Sequence, residues 1–214
     1  MSFKTKVLVL KRIKAGDQDL LAKVYGYGGV MSLLLRDGFE VGHRFFGVFE
    51  PFNVVEVDLV QRGDIVLPND VSRVDSFSMI ASNFNRYLWM CWVANFILRR
   101  VRFYEEKLFN LFIYYITRDV RGRGELYKLR LKLDFLKLSG LNPKFLSIDS
   151  FPSHSEIKVS DGSLSKGGEV KVRGSTLRLL KRIHSGGLRG VSAFGQSVRE
   201  AHYLLDALIE FHTK

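Results

Sequence analysis

The hydrophobic pattern changes its period once along this chain, near Met79, and that change limits what the chain can build. Before it, β-branched or Leu-rich runs occupy Lys6 to Leu10, Val30 to Leu35 and Asn53 to Gln61, with further extended segments at Ile65 to Leu67 and Val71 to Phe77. Gly-containing turns separate them, at Gly26-Tyr27-Gly28-Gly29, Arg36-Asp37-Gly38 and Gln61-Arg62-Gly63-Asp64. Short runs bounded by such turns are strand signals, and about five of them within residues 1–78 predict a small β-barrel.

After Met79 the apolar residues recur at helical spacing over longer stretches: 80–102, 105–118, 125–139, 175–185 and 192–213. Ser82 or Asn83, Ser175 and Ser192 are candidate N-caps, and Gly140 and Gly186-Gly187 are candidate C-terminal stops. Tyr127 to Leu133 is ambiguous, since it alternates Leu with Lys or Arg like a half-buried strand. Leu126, Leu129, Leu133 and Leu136 also fit a helix, and the helix-forming residue types favour that reading. A Ser-, Gly- and Lys-rich stretch from Pro143 to Gly174 contains Glu156 to Val159 and Glu169 to Arg173, which predict a small ribbon. The expectation is an α+β chain: a barrel domain over 1–78 and a mainly helical domain over 79–214, with the ribbon insertion at about 143–174.

With 46% apolar residues, 214 residues suffice for a packed core. The net charge of +11 favours polyanionic partners: nucleic acid, an anionic surface or an acidic protein tail. Its distribution sharpens that hint. Residues 1–78 hold 10 basic and 10 acidic side chains, whereas 79–214 hold 23 and 12, so the whole surplus lies beyond the barrel. The lone Cys91 forms no intramolecular disulfide and is expected as a buried thiol in a reducing compartment. Met1 to Lys14 lacks the apolar core of a signal peptide, and Tyr87 to Leu98 is shorter than the roughly 20 residues of a spanning helix. A cytoplasmic protein with an apolar core helix is expected.

Catalytic patterns are lacking. The five histidines (His43, His154, His184, His202, His212) have no metal-ligand spacing, and one cysteine builds no zinc site. Gly26-Tyr27-Gly28-Gly29 lacks the Gly-Lys-Ser/Thr ending of a phosphate loop and predicts a hairpin turn instead. There is no Gly-x-Ser-x-Gly elbow. The pairs Asp17/Asp19 and Glu105/Glu106 border a turn and a helix start, where carboxylates are ordinary. No catalytic residue, metal or cofactor is expected, and the chain is read as a non-enzyme.

What does recur is cations beside aromatics. Arg99, Arg100 and Arg102 adjoin Phe103 and Tyr104; Arg118, Arg121 and Arg123 follow the second helix; Lys128, Arg130, Lys132 and Lys137 punctuate the third. Gathered on one face, such cations displace the counterions of a phosphate backbone; dispersed, they are the solvated sides of helices. The barrel adds Lys11, Arg12, Lys14, Arg36, His43 and Arg44, near Phe45 and Phe46. Small barrels bind single strands with a basic groove and aromatic platforms, although Phe49 and Phe52 fit the core better.

The order of these features resembles the RecO family of DNA repair proteins. The resemblance is carried by Val7-Leu8-Val9-Leu10-Lys11, Gly16-Asp17-Gln18-Asp19-Leu20-Leu21, the Gly28-Gly29 turn, Arg36-Asp37-Gly38 and Phe49-Glu50-Pro51-Phe52, then by Lys107-Leu108-Phe109-Asn110-Leu111 and the Leu-rich Leu126 to Pro143. It implies an N-terminal OB-fold barrel, a helical domain and, in many members, an inserted four-cysteine zinc module. Here Ser147, Ser150, Ser165 and Gly168 stand where those cysteines are expected, so a zinc-free ribbon is implied. The arm after Arg36 also looks shorter and less basic than is usual. The family implies a bacterial cytoplasmic recombination mediator, associated with the nucleoid during repair, that binds single- and double-stranded DNA. It anneals complementary strands, engages the acidic C-terminal tail of single-stranded DNA-binding protein and acts with RecR to load RecA. The residues expected to contact DNA are Lys11, Arg12, Lys14, Arg36, Arg44, Arg99, Arg100, Arg102, Arg121, Arg123, Lys128, Arg130 and Lys132. The rivals are a structural RNA- or ribosome-associated barrel protein and an adaptor for acidic protein tails.

Overall fold

The computed structural model describes residues 2–77, 83–186, 188, 190–191 and 195–213. Contacts divide the chain into two compact units, Met1–Asp119 and Val120–Lys214. The change from strands to helices falls where the sequence changes period, but the first unit continues past it through two helices.

Unit 1 opens with five strands: β1 (Ser2–Ala15), β2 (Asp19–Gly26), β3 (Gly29–Leu35), β4 (Val54–Arg62) and β5 (Ile65–Asp75). They close into a barrel in the order β1-β2-β3-β5-β4, with β4 returning antiparallel to β1. The closing pair β3–β5 is parallel, registered at Leu33 and Val66. Period-two alternation fills the interior with Val7 and Val9, Leu20, Ala22 and Val24, Leu33 and Leu35, and Val55, Val57 and Leu59. Phe45 and Phe49, from the β3–β4 connection, join this core.

The sequence reading differs from this barrel at two strands. It misses β2, whose Leu20, Ala22 and Val24 alternate correctly but whose small and charged residues leave no continuous apolar run. It splits β5 in two because Pro68 interrupts the pattern; in the structure the ladder steps from Asp58 opposite Asp70 to Leu59 opposite Pro68, leaving Asn69 as the extra residue beside that proline. The Tyr27-Gly28 turn is the expected hairpin: Gly26 pairs with Gly29, and Gly28 and Gly29 have φ of +98° and +87°.

Two helices complete unit 1, α1 (Phe84–Arg100) and α2 (Glu106–Thr117). Asn83 caps α1, its side chain accepting from the Asn85 and Arg86 N–H groups; Ser82 lies outside the described residues. The stretch from Tyr87 to Leu98 is the expected core helix, burying Trp89, Met90, Val93, Ala94, Phe96 and Ile97. Trp89 Nε1 donates to the Tyr115 carbonyl of α2 at 2.6 Å. Cys91 departs from expectation: it is half-buried and hydrogen-bonded to Tyr87.

Unit 2 holds α3 (Gly124–Leu138), a 3-10 turn (Lys144–Ser147), the ribbon β6 (His154–Ile157) and β7 (Val170–Arg173), α4 (Gly174–His184) and α5 (Gln196–Thr213). The ambiguous 127–133 segment is helical. It buries Leu126, Leu129, Leu131, Leu133, Phe135 and Leu136, so most of its circumference meets protein, which blurs the 3.6-residue signature. Arg173, not Ser175, holds the N-cap position of α4, without a side-chain bond to the first turn; Ser175 lies inside that turn, 3.0 Å from the Ser197 hydroxyl. Gly187 and Ser192 lie outside the described residues.

The antiparallel ribbon forms within the expected stretch, with its first strand two residues earlier than expected, at His154–Ile157 rather than 156–159. The loop joining its strands folds back on β6 through an Ile157–Leu164 bridge and Gly167 N–H donating to Glu156 Oε2 at 2.6 Å. Gly168 packs so closely that a Cβ there would lie 2.7 Å from the Ile157 backbone. This ribbon therefore has no room for a cysteine side chain at 168.

Candidate nucleic-acid interface

Three arginines mark the end of α1. Arg99 and Arg100 sit in its last turn, where cations complement the exposed carbonyls, and Arg102 follows the Val101 cap. Arg99 and Arg102 are exposed and Arg100 is half-buried. Phe103 follows with 43% exposure, and across from it the β2–β3 turn presents Tyr27 at 67%.

Barrel and connection are locked together behind these side chains. Tyr25, fully buried, donates from its hydroxyl to the Phe103 carbonyl at 3.3 Å. Its ring lies 6.0 Å from Phe109, 5.9 Å from Tyr104 and, edge-on, 5.6 Å from Phe112. Burial pushes the Tyr25 phenol up to about 12, so it stays a neutral donor. Gly29 approaches the Arg102 carbonyl so closely that a Cβ would lie 3.0 Å from the oxygen. Tyr27 completes the cluster, meeting Tyr104 edge-to-face at 6.0 Å.

The barrel cations are more dispersed. Lys11 and Lys14 are exposed on β1, whereas Arg12 is half-buried, paired with Glu50 and set 4.8 Å over the Phe39 ring. Lys11 and Arg12 line a groove of about 330 Å³ with Phe52, Tyr87, Cys91 and Leu98. Arg36 is exposed after β3, and Arg44 lies 4.4 Å over Phe45. Phe45, Phe49 and Phe52 are core at 6%, 1% and 4% exposure, leaving Phe46 as the open aromatic of that group.

In unit 2 the α3 cations serve the fold. Lys128 pairs with Glu125 at 2.6 Å. Arg130 contacts both Asp134 oxygens at 3.0 Å and donates to the Ile183 and His184 carbonyls at 2.5 and 2.8 Å, tying α3 to the C-terminus of α4. Lys132, expected on a DNA-facing surface, is buried at 4% exposure and pairs with Asp206 at 2.8 Å. Its place on the inner side of a central helix removes it from any strand-binding face. Arg121 and Arg123 are exposed before α3, and Lys137 is exposed near its end.

A protein of Aquifex aeolicus (strain VF5), described only as an uncharacterized protein, is 36% identical to this chain over 206 residues, 96% of either sequence. The chain belongs to the family of that protein. No family model matches the sequence. Since the alignment takes in nearly the whole chain, the family relationship spans both compact units.

The main omission of the sequence reading is Tyr27, which counts there only as part of a turn. The turn was legible; its seat beside Tyr104 was not, because that contact joins residues 77 positions apart. Among the described residues no three His, Cys, Asp or Glu side chains come together as a metal site, and no helix is long and apolar enough to cross a membrane.

Proposed function

We propose that this protein is a DNA-binding recombination mediator similar to RecO, with the barrel as an OB-fold. The strand order β1-β2-β3-β5-β4 and the parallel β3–β5 closure support the OB reading. The observation that carries DNA binding is the exposed Arg99 and Arg102, with half-buried Arg100, beside two exposed aromatic rings on a rigid base. Phosphate contacts from such residues position a strand without reading its sequence, so weak sequence preference follows.

The action is non-covalent and bacterial-cytoplasmic. Neutralised phosphates let two complementary strands approach on one protein, and annealing accelerates. RecR, and the acidic tail of single-stranded DNA-binding protein, are the partners this reading supplies; that tail competes with DNA for cations, and loading of RecA follows. Unit 2 carries 17 basic against 9 acidic residues; in this region Lys128, Arg130 and Lys132 are held by carboxylates, and Arg121, Arg123 and Lys137 are exposed at the surface.

Annealing of complementary DNA oligonucleotides tests the proposal. Acceleration by the protein, declining steeply as salt rises, is the expected result. Binding confined to RNA, with no annealing, would instead support the ribosome-associated reading. A shallow salt dependence would favour an adaptor for acidic proteins.

A further inference from the structure

Tyr27 and Phe103 are large, apolar and exposed, yet neither sits on a loose loop. Tyr27 is in a two-residue turn whose Gly29 abuts the Arg102 carbonyl, and the Phe103 carbonyl accepts from the buried Tyr25 hydroxyl. The two backbones are thus pinned together: a Cβ on Gly29 would also lie 3.7 Å from the Phe103 Cα. At 67% exposure Tyr27 keeps a ring face open to solvent although its other contact is with Tyr104. Holding aromatic rings out of the core costs the fold their burial, and a rigid seat lowers the ordering cost when a ligand covers them.

Charge selects the ligand. Residues 99–107 carry Arg99, Arg100, Arg102 and Lys107 against Glu105 and Glu106. An apolar partner with no charge would use the rings and leave the arginines idle; duplex DNA would use the arginines but keep its bases stacked inside. A single strand uses both, with phosphates on the cations and unpaired bases on the rings.

We infer that Tyr27 and Phe103 form a stacking platform for unpaired nucleobases of a strand whose phosphates are held by Arg99 and Arg102. This rests on the nucleic-acid-binding reading above and adds to it which form of strand is held and by which side chains. Neither ring belongs to the barrel core, so variants lacking them are expected to fold.

The test compares fluorescence anisotropy titrations of an oligothymidylate, an abasic strand with the same backbone, a duplex and an oligouridylate. The protein should bind oligothymidylate roughly ten-fold tighter than the abasic strand, the difference expected from stacking. Combining Tyr27→Ala with Phe103→Ala should remove that preference and leave abasic and duplex binding unchanged, while Tyr27→Phe should retain it. Equal binding of oligouridylate supports recognition of the base face, whereas exclusive binding of oligouridylate overturns the DNA assignment. A wild-type protein that binds thymidylate and abasic strands equally, or an alanine variant that keeps the preference, overturns the platform alone. Failure to bind any of the four overturns the nucleic-acid reading and the platform with it.

Discussion

The Lys132 ammonium donates to Nδ1 of His202 across 3.1 Å inside unit 2, and this fixes the imidazole as neutral. Nε2 therefore carries the proton and faces Glu125 Oε2 at 3.0 Å. Burial, then the Lys132 charge, pushes His202 down from 6.5 to about 4, outweighing the opposing pull of Glu125 and Asp206. Between those two values the unfolded chain binds a proton that the folded chain refuses. Stability contributed by neutral His202 is complete above about pH 6.5 and is lost as pH falls toward 4. At about 1.4 kcal/mol per pH unit the loss reaches a few kcal/mol. Hydrogen exchange of α3 and α5 amides at pH 7 and pH 5 should show it, with Trp89 and Trp92 in unit 1 as a fluorescence reference. Equal protection at both pH values would refute the assignment.

Lys132 also separates a structural cation from a binding one. Lys132→Ala removes its long apolar stem and leaves His202 Nδ1 without its donor, whereas Asp206, half-exposed, regains water. We expect a cost on the order of 2 kcal/mol for Ala and clearly less for Met, which refills the space. Urea unfolding measures both. Lys132→Met should leave DNA affinity unchanged; a large drop in affinity for a well-folded Met variant would return Lys132 to the interface.

The division between legible and hidden features follows the range of the contacts. The Gly28-Gly29 turn and the Asn83 cap were legible because each depends on neighbours a few residues away, and β3, β4 and the ribbon because their own residue types and alternation mark them as extended, although their pairing partners are more distant. The use of α3 cations was hidden. Lys132 meets Asp206, and Arg130 meets the end of α4, across separations of more than 50 residues, so their alternation with leucine looked like a solvated face. Tyr27 was hidden for the same reason, and Gly168 could be recognised as a tight packing position only once the Ile157 backbone lay beside it.

Charge reversal ranks the two candidate surfaces of unit 1. Replacing Arg99, Arg100 and Arg102 with Glu should weaken DNA binding more than the same change at Lys11, Arg12 and Lys14. Arg12 already has Glu50 as partner and lies over Phe39, whereas Arg99, Arg100 and Arg102 end α1 or follow its cap and immediately precede the exposed Phe103. Losing three phosphate contacts should also flatten the slope of log affinity against log salt by about two to three units. The reverse ranking would move the interface to β1.

Gly29 offers a way to disturb the platform without touching either ring. At φ +87° an L-residue is strained, and its Cβ would press on the Arg102 carbonyl at 3.0 Å. Gly29→Ala should therefore cost roughly 1–2 kcal/mol and displace the α1–α2 connection from the β2–β3 turn. Gly16→Ala is the control: its φ of +66° imposes a similar backbone strain, but no atom lies within 4 Å of the new Cβ. Comparable losses of stability in the two variants, with loss of thymidylate preference only in Gly29→Ala, would tie binding to the seating of Tyr27 against Tyr104. If both variants keep the preference, the close approach of Gly29 to Arg102 serves the fold alone.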